Sequence, residues 1–305
     1  MLKLPENTLT RFSLVIATLS LAACGGGGSG STTVVSESNP GGDTPVDTSS
    51  GSDDFSGTEV QDYFVGDTAI LKAGVFSAMV TYVNDNPPPV DGVMLLSPTG
   101  NYTFIMDTDW NTSFKANIVQ GTLTSDGISD SGFYDIEGPV VEYELFDEWF
   151  RTPETSDKKA TIVGVVPSDD NDSAFLDTGT RVEEIAINRD PVSDLSLSFA
   201  QIQGIYESTA GPDPQIIIDG DGGINGVDRG CIIEGQITIP VAAVNVYELS
   251  YKASGCTNLD EATGEERDGD YLGIGTFTPA SSEGEGSIEF AASNGKIAFY
   301  FAGTR

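Results

Sequence analysis

The last third of the chain alternates apolar and polar residues over short segments separated by glycine, asparagine and aspartate. This period of two, rich in β-branched residues, predicts strands with one buried face. Eight strands are expected, at 202–209, 215–218, 223–227, 231–239, 244–253, 271–278, 287–291 and 296–301. No segment shows a sustained helical period, so the expected class is all-β.

Tight turns separate these expected strands. Asn294-Gly295, between the last two, is typical of a two-residue hairpin turn. The run 219–223, Asp-Gly-Asp-Gly-Gly, predicts another turn. Short strands joined in this way favour a small antiparallel β-barrel, with a β-sandwich as the alternative.

Three short sequence matches recur in the same order in both halves of the chain. They pair 74–77 with 204–208, 117–124 with 231–238, and 143–145 with 247–249. Three ordered matches favour an internal duplication, and two copies make a tandem pair rather than a solenoid. The prediction is two related β domains, at 58–193 and 194–305.

The N-terminus has a different pattern, in which Lys3 and Arg11 precede an apolar stretch at 12–23. A basic region, an apolar region and small residues form a secretory signal peptide, predicted at 1–23. The apolar stretch is shorter than the roughly 20 residues that span a bilayer.

The end of this segment, Leu21-Ala22-Ala23-Cys24, resembles the lipobox of bacterial lipoproteins. The resemblance implies cleavage before Cys24 and acylation of that cysteine, which would anchor the chain in a membrane. In Gram-negative lipoproteins an aspartate after the cysteine commonly means retention at the inner membrane. Gly25 stands there, which implies the outer membrane, facing either the periplasm or the outside.

Residues 24–57 consist mainly of glycine, serine, threonine, aspartate and proline. This composition buries too little apolar surface to offset the entropy of ordering, so it predicts a disordered tether. A flexible coil of this length has an end-to-end distance of roughly 30 Å. The folded domains are therefore expected to lie near the membrane but not on it.

The charge balance excludes one class of partner. The chain has 14 lysine and arginine residues against 47 aspartate and glutamate residues, a net charge of −33, which repels nucleic acid. It has no histidine, so a Ser-His-Asp arrangement and the commonest metal ligand are missing.

Two cysteines remain beside the acylated one. An even pair in an exported protein predicts a disulfide between Cys231 and Cys256. A hairpin of 231–239 with 244–256, turning near Ala243, would place the two cysteines opposite each other.

The start of the second domain, Gly204-Ile205-Tyr206, resembles the opening strand of the calycin barrels, which include lipocalins and avidin. The resemblance implies a small antiparallel barrel that could carry a small ligand in its interior. The tryptophan of the lipocalin Gly-x-Trp motif is replaced by Tyr206 here and by Phe76 in the first domain.

One acidic loop and two apolar segments are candidate binding sites. Alternate acids in a glycine-rich loop suit hard cations, so Asp219, Asp221 and Asp228 are candidate calcium ligands, although the loop lacks the EF-hand pattern. Trp149 and Phe150, within an acidic aromatic run, and Pro88, in a three-proline insertion, are candidate contacts for a protein or polymer.

These features favour a non-enzymatic, lipid-anchored envelope protein that binds a protein or surface polymer or has a structural role. No cofactor is expected apart from possible calcium. A small-ligand carrier is the alternative, and a carboxylate-dependent extracellular hydrolase is less favoured because the many acids form pairs by chance. Filled domain interiors would favour the first function, and a continuous cavity would favour the carrier.

Overall fold

The computed structural model describes residues 71–305 except 83–88, 107–116, 129–132, 147–148, 152–159, 168–171, 178–182, 209–213, 260–261 and 283–284. Two barrel-like antiparallel sheets make up most of this part of the chain, one of nine strands with a short additional hairpin strand and one of eight strands. The predicted class, two tandem antiparallel β-barrels, is confirmed.

The first sheet, barrel 1, closes because its first strand pairs with its last. Its strands are β1 (Gly74–Tyr82), β2 (Val90–Leu96), β3 (Asn101–Met106), β4 (Asn117–Thr122), β5 (Thr124–Ile128), β6 (Phe133–Phe146), β7 (Trp149–Arg151), β8 (Ala160–Pro167), β9 (Ser173–Asp177) and β10 (Glu183–Arg189). Strands β4 and β5 lie end to end along one side of β6, and β8 lies along the other side. The short β7 forms a hairpin with the end of β6.

The second sheet, barrel 2, has a simpler order in which each strand pairs with the next and the last returns to the first. Its strands are β11 (Gly204–Ser208), β12 (Gln215–Ile218), β13 (Gly223–Asp228), β14 (Cys231–Thr238), β15 (Tyr247–Ser254), β16 (Gly269–Thr278), β17 (Ser287–Ser293) and β18 (Ile297–Thr304). All eight correspond to strands expected from the sequence. The predicted domain boundary at 193/194 falls in the connection between β10 and β11.

The alternation of side chains along each strand produces the two interiors. In β14, Cys231, Ile233 and Ile237 are buried, and Ile232, Glu234 and Gln236 face outward. The same period in the neighbouring strands lines barrel 2 with apolar side chains, as expected for a closed sheet with a filled core.

Both barrels begin with a glycine in a backbone conformation that other residues rarely adopt. Gly74 opens β1 with φ of 153°, and Gly204 opens β11 with φ of 157°. Two residues later, Phe76 and Tyr206 are both fully buried in their respective cores. The first sequence match therefore marks structurally equivalent positions, which supports duplication.

A second equivalence, an arginine clasp, lies where each barrel closes. Arg189, the last residue of β10, donates from Nε to the carbonyl of Ala73 at 2.9 Å. Arg305, directly after β18, donates to the carbonyl of Gln203. Each acceptor immediately precedes the opening glycine, so each arginine ties the end of its barrel to the start.

The third sequence match joins equivalent strands but not equivalent positions. Tyr143 in β6 faces out of barrel 1, where its hydroxyl donates to Ser293 at 2.8 Å. Tyr247 in β15 is fully buried inside barrel 2. A shift in register therefore separates the two copies at this strand.

The hairpin of β14 and β15 forms, but its pairing register is shifted by one residue from the predicted one. Ile232 lies opposite Ser254, so the residue opposite Cys231 would be Gly255 rather than Cys256. The chain turns at Gly255, where φ is 64°. This turn directs Cys256 back to Cys231, and the predicted disulfide is present with a Cα–Cα distance of 4.0 Å.

The two barrels share an interface built from side chains and backbone. Val75 and Leu95 of barrel 1 pack with Val244, Val246 and Ile274 of barrel 2. Beside this apolar cluster, the Glu248 carboxylate accepts hydrogen bonds from Ser97, Thr99 and Asn101. Strand β7 also pairs with β18, so backbone hydrogen bonds connect the barrels.

Helical structure in the described residues is limited to single turns. A 3-10 helix (Pro191–Asp194) and α1 (Phe199–Ile202) connect the barrels, and α2 (Gly264–Arg267) lies between β15 and β16. Among the described helices, none has the length and apolarity needed to cross a membrane.

Candidate functional site

Two of the residues singled out from the sequence, Cys24 and Pro88, lie outside the described part of the chain. Trp149 and Phe150 belong to β7, where Trp149 pairs with Phe146, and Phe150 pairs with both Leu145 and Ala298. Only the backbones of Trp149 and Phe150 are described, so their proposed contact role stays a prediction.

The candidate calcium ligands do not converge. The Asp219 carboxylate accepts hydrogen bonds from the backbone N–H groups of Asp221 and Gly223, and this closes the predicted turn. Asp228 lies at the far end of β13, about 17 Å away by the rise of a strand. Within the described residues, no group of three or more acids or cysteines could hold a metal ion.

Asp228 instead belongs to a cap at one end of barrel 2. The buried Arg267 guanidinium lies 3.6 Å from the Asp228 carboxylate and donates to the carbonyls of Thr257 and Arg229. The Tyr271 hydroxyl donates to the carbonyl of Arg267 at 3.0 Å. Because these charged and hydrogen-bonding groups pair with one another, we interpret the cap as a structural element that closes this end of barrel 2.

Aromatic side chains fill the interior of barrel 2 next to this cap. The rings of Tyr251 and Tyr271 stack with centroids 4.9 Å apart. Burial raises the pKa of both hydroxyls above the ordinary range. Farther along, Phe290 stacks on Phe301 with centroids 5.3 Å apart. The core side chains of the described strands therefore occupy the place where a calycin would bind its ligand.

The interior of barrel 1 is also lined by buried apolar side chains, among them Phe76, Met94 and Phe104. The buried Tyr102 hydroxyl also lies in this interior, and none of the described residues forms a hydrogen bond with it. Burial raises the pKa of this hydroxyl, which keeps it protonated. An unpaired buried donor costs stability and calls for an explanation such as an internal water or ligand.

A half-buried carboxylate lies on the outer face of β17, where Glu289 accepts a hydrogen bond from the Tyr300 hydroxyl at 2.9 Å. Burial raises the pKa of the Glu289 carboxyl, and this hydrogen bond partly opposes the rise. A carboxylate-dependent hydrolase would need a second acid converging on Glu289. The hydrogen-bond partner described for Glu289 is a tyrosine.

The outside of barrel 1 carries an unusual row of apolar residues, here called the outer apolar row. Met79, Ala186, Phe175 and Val165 are direct cross-strand neighbours on β1, β10, β9 and β8. Met79 is 47% exposed and Phe175 is 45% exposed. Met and aromatic residues are enriched at protein interfaces, so this row is the strongest candidate binding surface of barrel 1.

Barrel 2 has a comparable outer stripe of β-branched residues. Ile205 pairs with Ile217, and Val227 pairs with Ile232, so the stripe crosses β11 to β14 diagonally. Ile205 and Ile232 are each 54% exposed. We call these four residues the β11–β14 stripe.

Neither surface was singled out from the sequence, although a signal was present. Ala174-Phe175-Leu176 and Ile216-Ile217-Ile218 are runs of three apolar residues inside short strands. Since successive residues face opposite sides of a sheet, each run must place an apolar side chain on the outside of a closed barrel. No protein-family model and no curated protein matches this chain.

Proposed function

We propose that this protein is a lipid-anchored envelope lipoprotein whose pair of β-barrels binds another protein through its outer surface. The supporting observation is the contrast between the two faces of the sheets. Aromatic and aliphatic side chains fill the inside of each barrel, whereas exposed apolar residues form rows outside. Exposed apolar patches on soluble domains commonly mark interaction sites.

Anchoring depends on Cys24 in this proposal. Replacing it (Cys24→Ser) is expected to abolish incorporation of radiolabelled palmitate into the chain. Cys231→Ser with Cys256→Ser is the matched control, because it removes cysteines but leaves the lipid attachment site. Palmitate incorporation into the Cys24→Ser chain would contradict the lipid anchor.

Native mass spectrometry of the chain purified from cells distinguishes outer-surface binding from transport of a small ligand. The proposal expects a mass equal to the acylated chain alone. A retained small molecule would instead assign the barrels to a carrier and overturn this part of the proposal.

A small-ligand carrier is the second candidate function, and the unpaired Tyr102 hydroxyl favours it. A ligand or water that hydrogen-bonds this hydroxyl would stabilise the protein, and Tyr102→Phe would then lower the melting temperature. If the hydroxyl has no partner in solution, removing it leaves stability equal or higher, since the cost of a buried unsatisfied group is removed. Thermal unfolding of the two proteins therefore separates these cases.

A further inference from the structure

The outer apolar row of barrel 1 ends in acids on both sides. Asp91 of β2 lies directly opposite Met79 at one end. Asp135 of β6 lies directly opposite Val165 at the other end. Both aspartates are exposed. A partner lying along the row would therefore meet a carboxylate at each end.

One long side of the row is acidic as well. Asp177 follows Phe175 by two residues on the outer face of β9, and it is exposed. Val163 pairs with both Asp177 and Glu137, and Glu137 is exposed too. Among the described outward-facing residues of the four strands that carry the row, there is no lysine or arginine.

The dimensions of the row limit what can cover it. Four adjacent strands at about 4.8 Å spacing give a row about 15 Å long. A helix of about ten residues has the same length. One face of a short amphipathic helix can therefore cover Met79, Ala186, Phe175 and Val165 together.

From this combination we infer that the outer apolar row binds a cationic amphipathic segment of a partner protein. The apolar face of that segment packs on Phe175 and Met79, and its lysine or arginine residues face Asp91 and Asp135. This inference rests on the proposed function and adds the chemistry of the partner. A second copy of this chain is disfavoured as occupant, because two chains of net charge −33 repel each other.

The test uses the mature chain, residues 24–305, expressed without the signal peptide and with Cys24→Ser, so that it carries no lipid. Its ligand is a fluorescent peptide of about 12 residues with leucine on one helical face and lysine on the other. Fluorescence anisotropy is expected to show saturable binding. A twin peptide with glutamate in place of lysine is expected to bind at least tenfold more weakly. Raising the salt concentration is expected to weaken binding of the lysine peptide.

Substitutions in the row identify the surface. Phe175→Ser and, separately, Met79→Gln are each expected to weaken binding of the lysine peptide about tenfold, as for a central contact residue. Because the two residues lie on different strands, one variant remains informative if the other fails to fold. Asp91→Asn with Asp135→Asn is expected to weaken binding several-fold and to reduce its dependence on salt.

The matched control is Leu272→Thr, at a position of barrel 2 that is 68% exposed and belongs to neither row, and it is expected to leave binding unchanged. Equal binding of the row variants and wild type would overturn the inference. Equal binding of the glutamate peptide and the lysine peptide would overturn it as well. The inference would also be wrong if the chain associated with itself and Phe175→Ser abolished that association. Binding to phosphatidylcholine vesicles that depends on Phe175 would overturn it too. A retained ligand in native mass spectrometry would contradict the proposed function instead, so the two failures are distinguishable.

Discussion

At the scale of single residues, the arginine clasps show how each barrel is closed. Arg305 lies 5.7 Å from the centre of the Tyr206 ring and 5.4 Å from that of Phe277 while it donates to Gln203. Arg189 has a side chain only 7% exposed and pairs with Asp194 at 2.8 Å. Each guanidinium thus combines a backbone hydrogen bond with a second favourable contact.

Removing a clasp is expected to destabilise its barrel. Arg189→Met should lower the free energy of unfolding by about 2–3 kcal/mol, because it leaves a buried carbonyl and an aspartate without their partner. Arg305→Met should cost about 1 kcal/mol, since its guanidinium is more exposed. Urea unfolding measures both, with the exposed Lys296→Met as control. If the two arginine variants lost no more free energy of unfolding than Lys296→Met, the clasps would not stabilise the fold.

Glu289 provides a prediction about pH. Its pKa is raised in the folded protein, so the folded state binds more protons than the unfolded chain between the ordinary and the raised pKa. The contribution of this group to stability is therefore complete below its ordinary pKa and is lost as the pH rises through the raised one.

Glu289→Gln mimics the protonated carboxyl and can keep the hydrogen bond with Tyr300. The variant is expected to melt at the same temperature as wild type near pH 4 and at a higher temperature near pH 7, because only wild type then carries the buried charge. Thermal unfolding across this range checks the difference. A variant less stable than wild type at pH 7 would mean that the charged carboxylate is favoured by contacts other than Tyr300.

At the scale of elements, the disulfide holds the end of the β14–β15 hairpin. It links residues separated by 25 positions, so Cys231→Ser with Cys256→Ser is expected to lower stability by about 3 kcal/mol. Calorimetry with and without a reductant gives the measurement. The reductant should lower the melting temperature of wild type but not that of the variant, and equal responses would contradict the prediction.

The strands of barrel 2 could be predicted because their polar and apolar residues alternate between clear turns. In barrel 1 the longest strand, β6, contains Gly138-Pro139, a pair that normally argues against a strand. The ladder to β4 ends at Val140, and the ladder to β5 begins at Glu137. Pro139 thus lies in the gap between the ladders to β4 and β5. No described strand pairs with β6 there on that side, so the missing N–H of the proline does not remove a ladder hydrogen bond.

Exposure on the outer face could not be predicted, because it depends on what covers each strand. Ile118 in β4 and Ile232 in β14 are matched residues of the internal repeat. Ile118 is fully buried against barrel 2, whereas Ile232 is 54% exposed. The local pattern is the same in both copies, so only the tertiary arrangement separates an interface residue from a surface residue.

The candidate site could be predicted only in part from the sequence, because part of it depends on the tertiary arrangement. The Asp219 turn and the disulfide are local features, and both were predicted. The outer apolar row joins residues from β1, β8, β9 and β10, which are up to about a hundred positions apart. Its recognition requires the cross-strand register, which a single sequence does not specify.

At the scale of the whole molecule, the shared apolar cluster should make the two barrels unfold together. Val246 is fully buried in that cluster, and Val246→Asp would place a charge in it. Calorimetry is expected to show one transition for wild type and two for Val246→Asp, as the barrels become independent. Leu272→Asp, at a position 68% exposed, is the matched control and should keep a single transition. Two transitions in wild type would contradict this coupling.

The position of β1 in its ring has a mechanical consequence. Strand β1 is the first strand after residues 1–73, and it is flanked along most of its length by β2 on one side and β10 on the other. A pull directed along β1 from its N-terminal end would load both antiparallel ladders in shear, so many hydrogen bonds must break together. Peeling would break them one after another. Barrel 1 is therefore expected to resist a pull along β1 more strongly than a pull that peels this strand from the sheet.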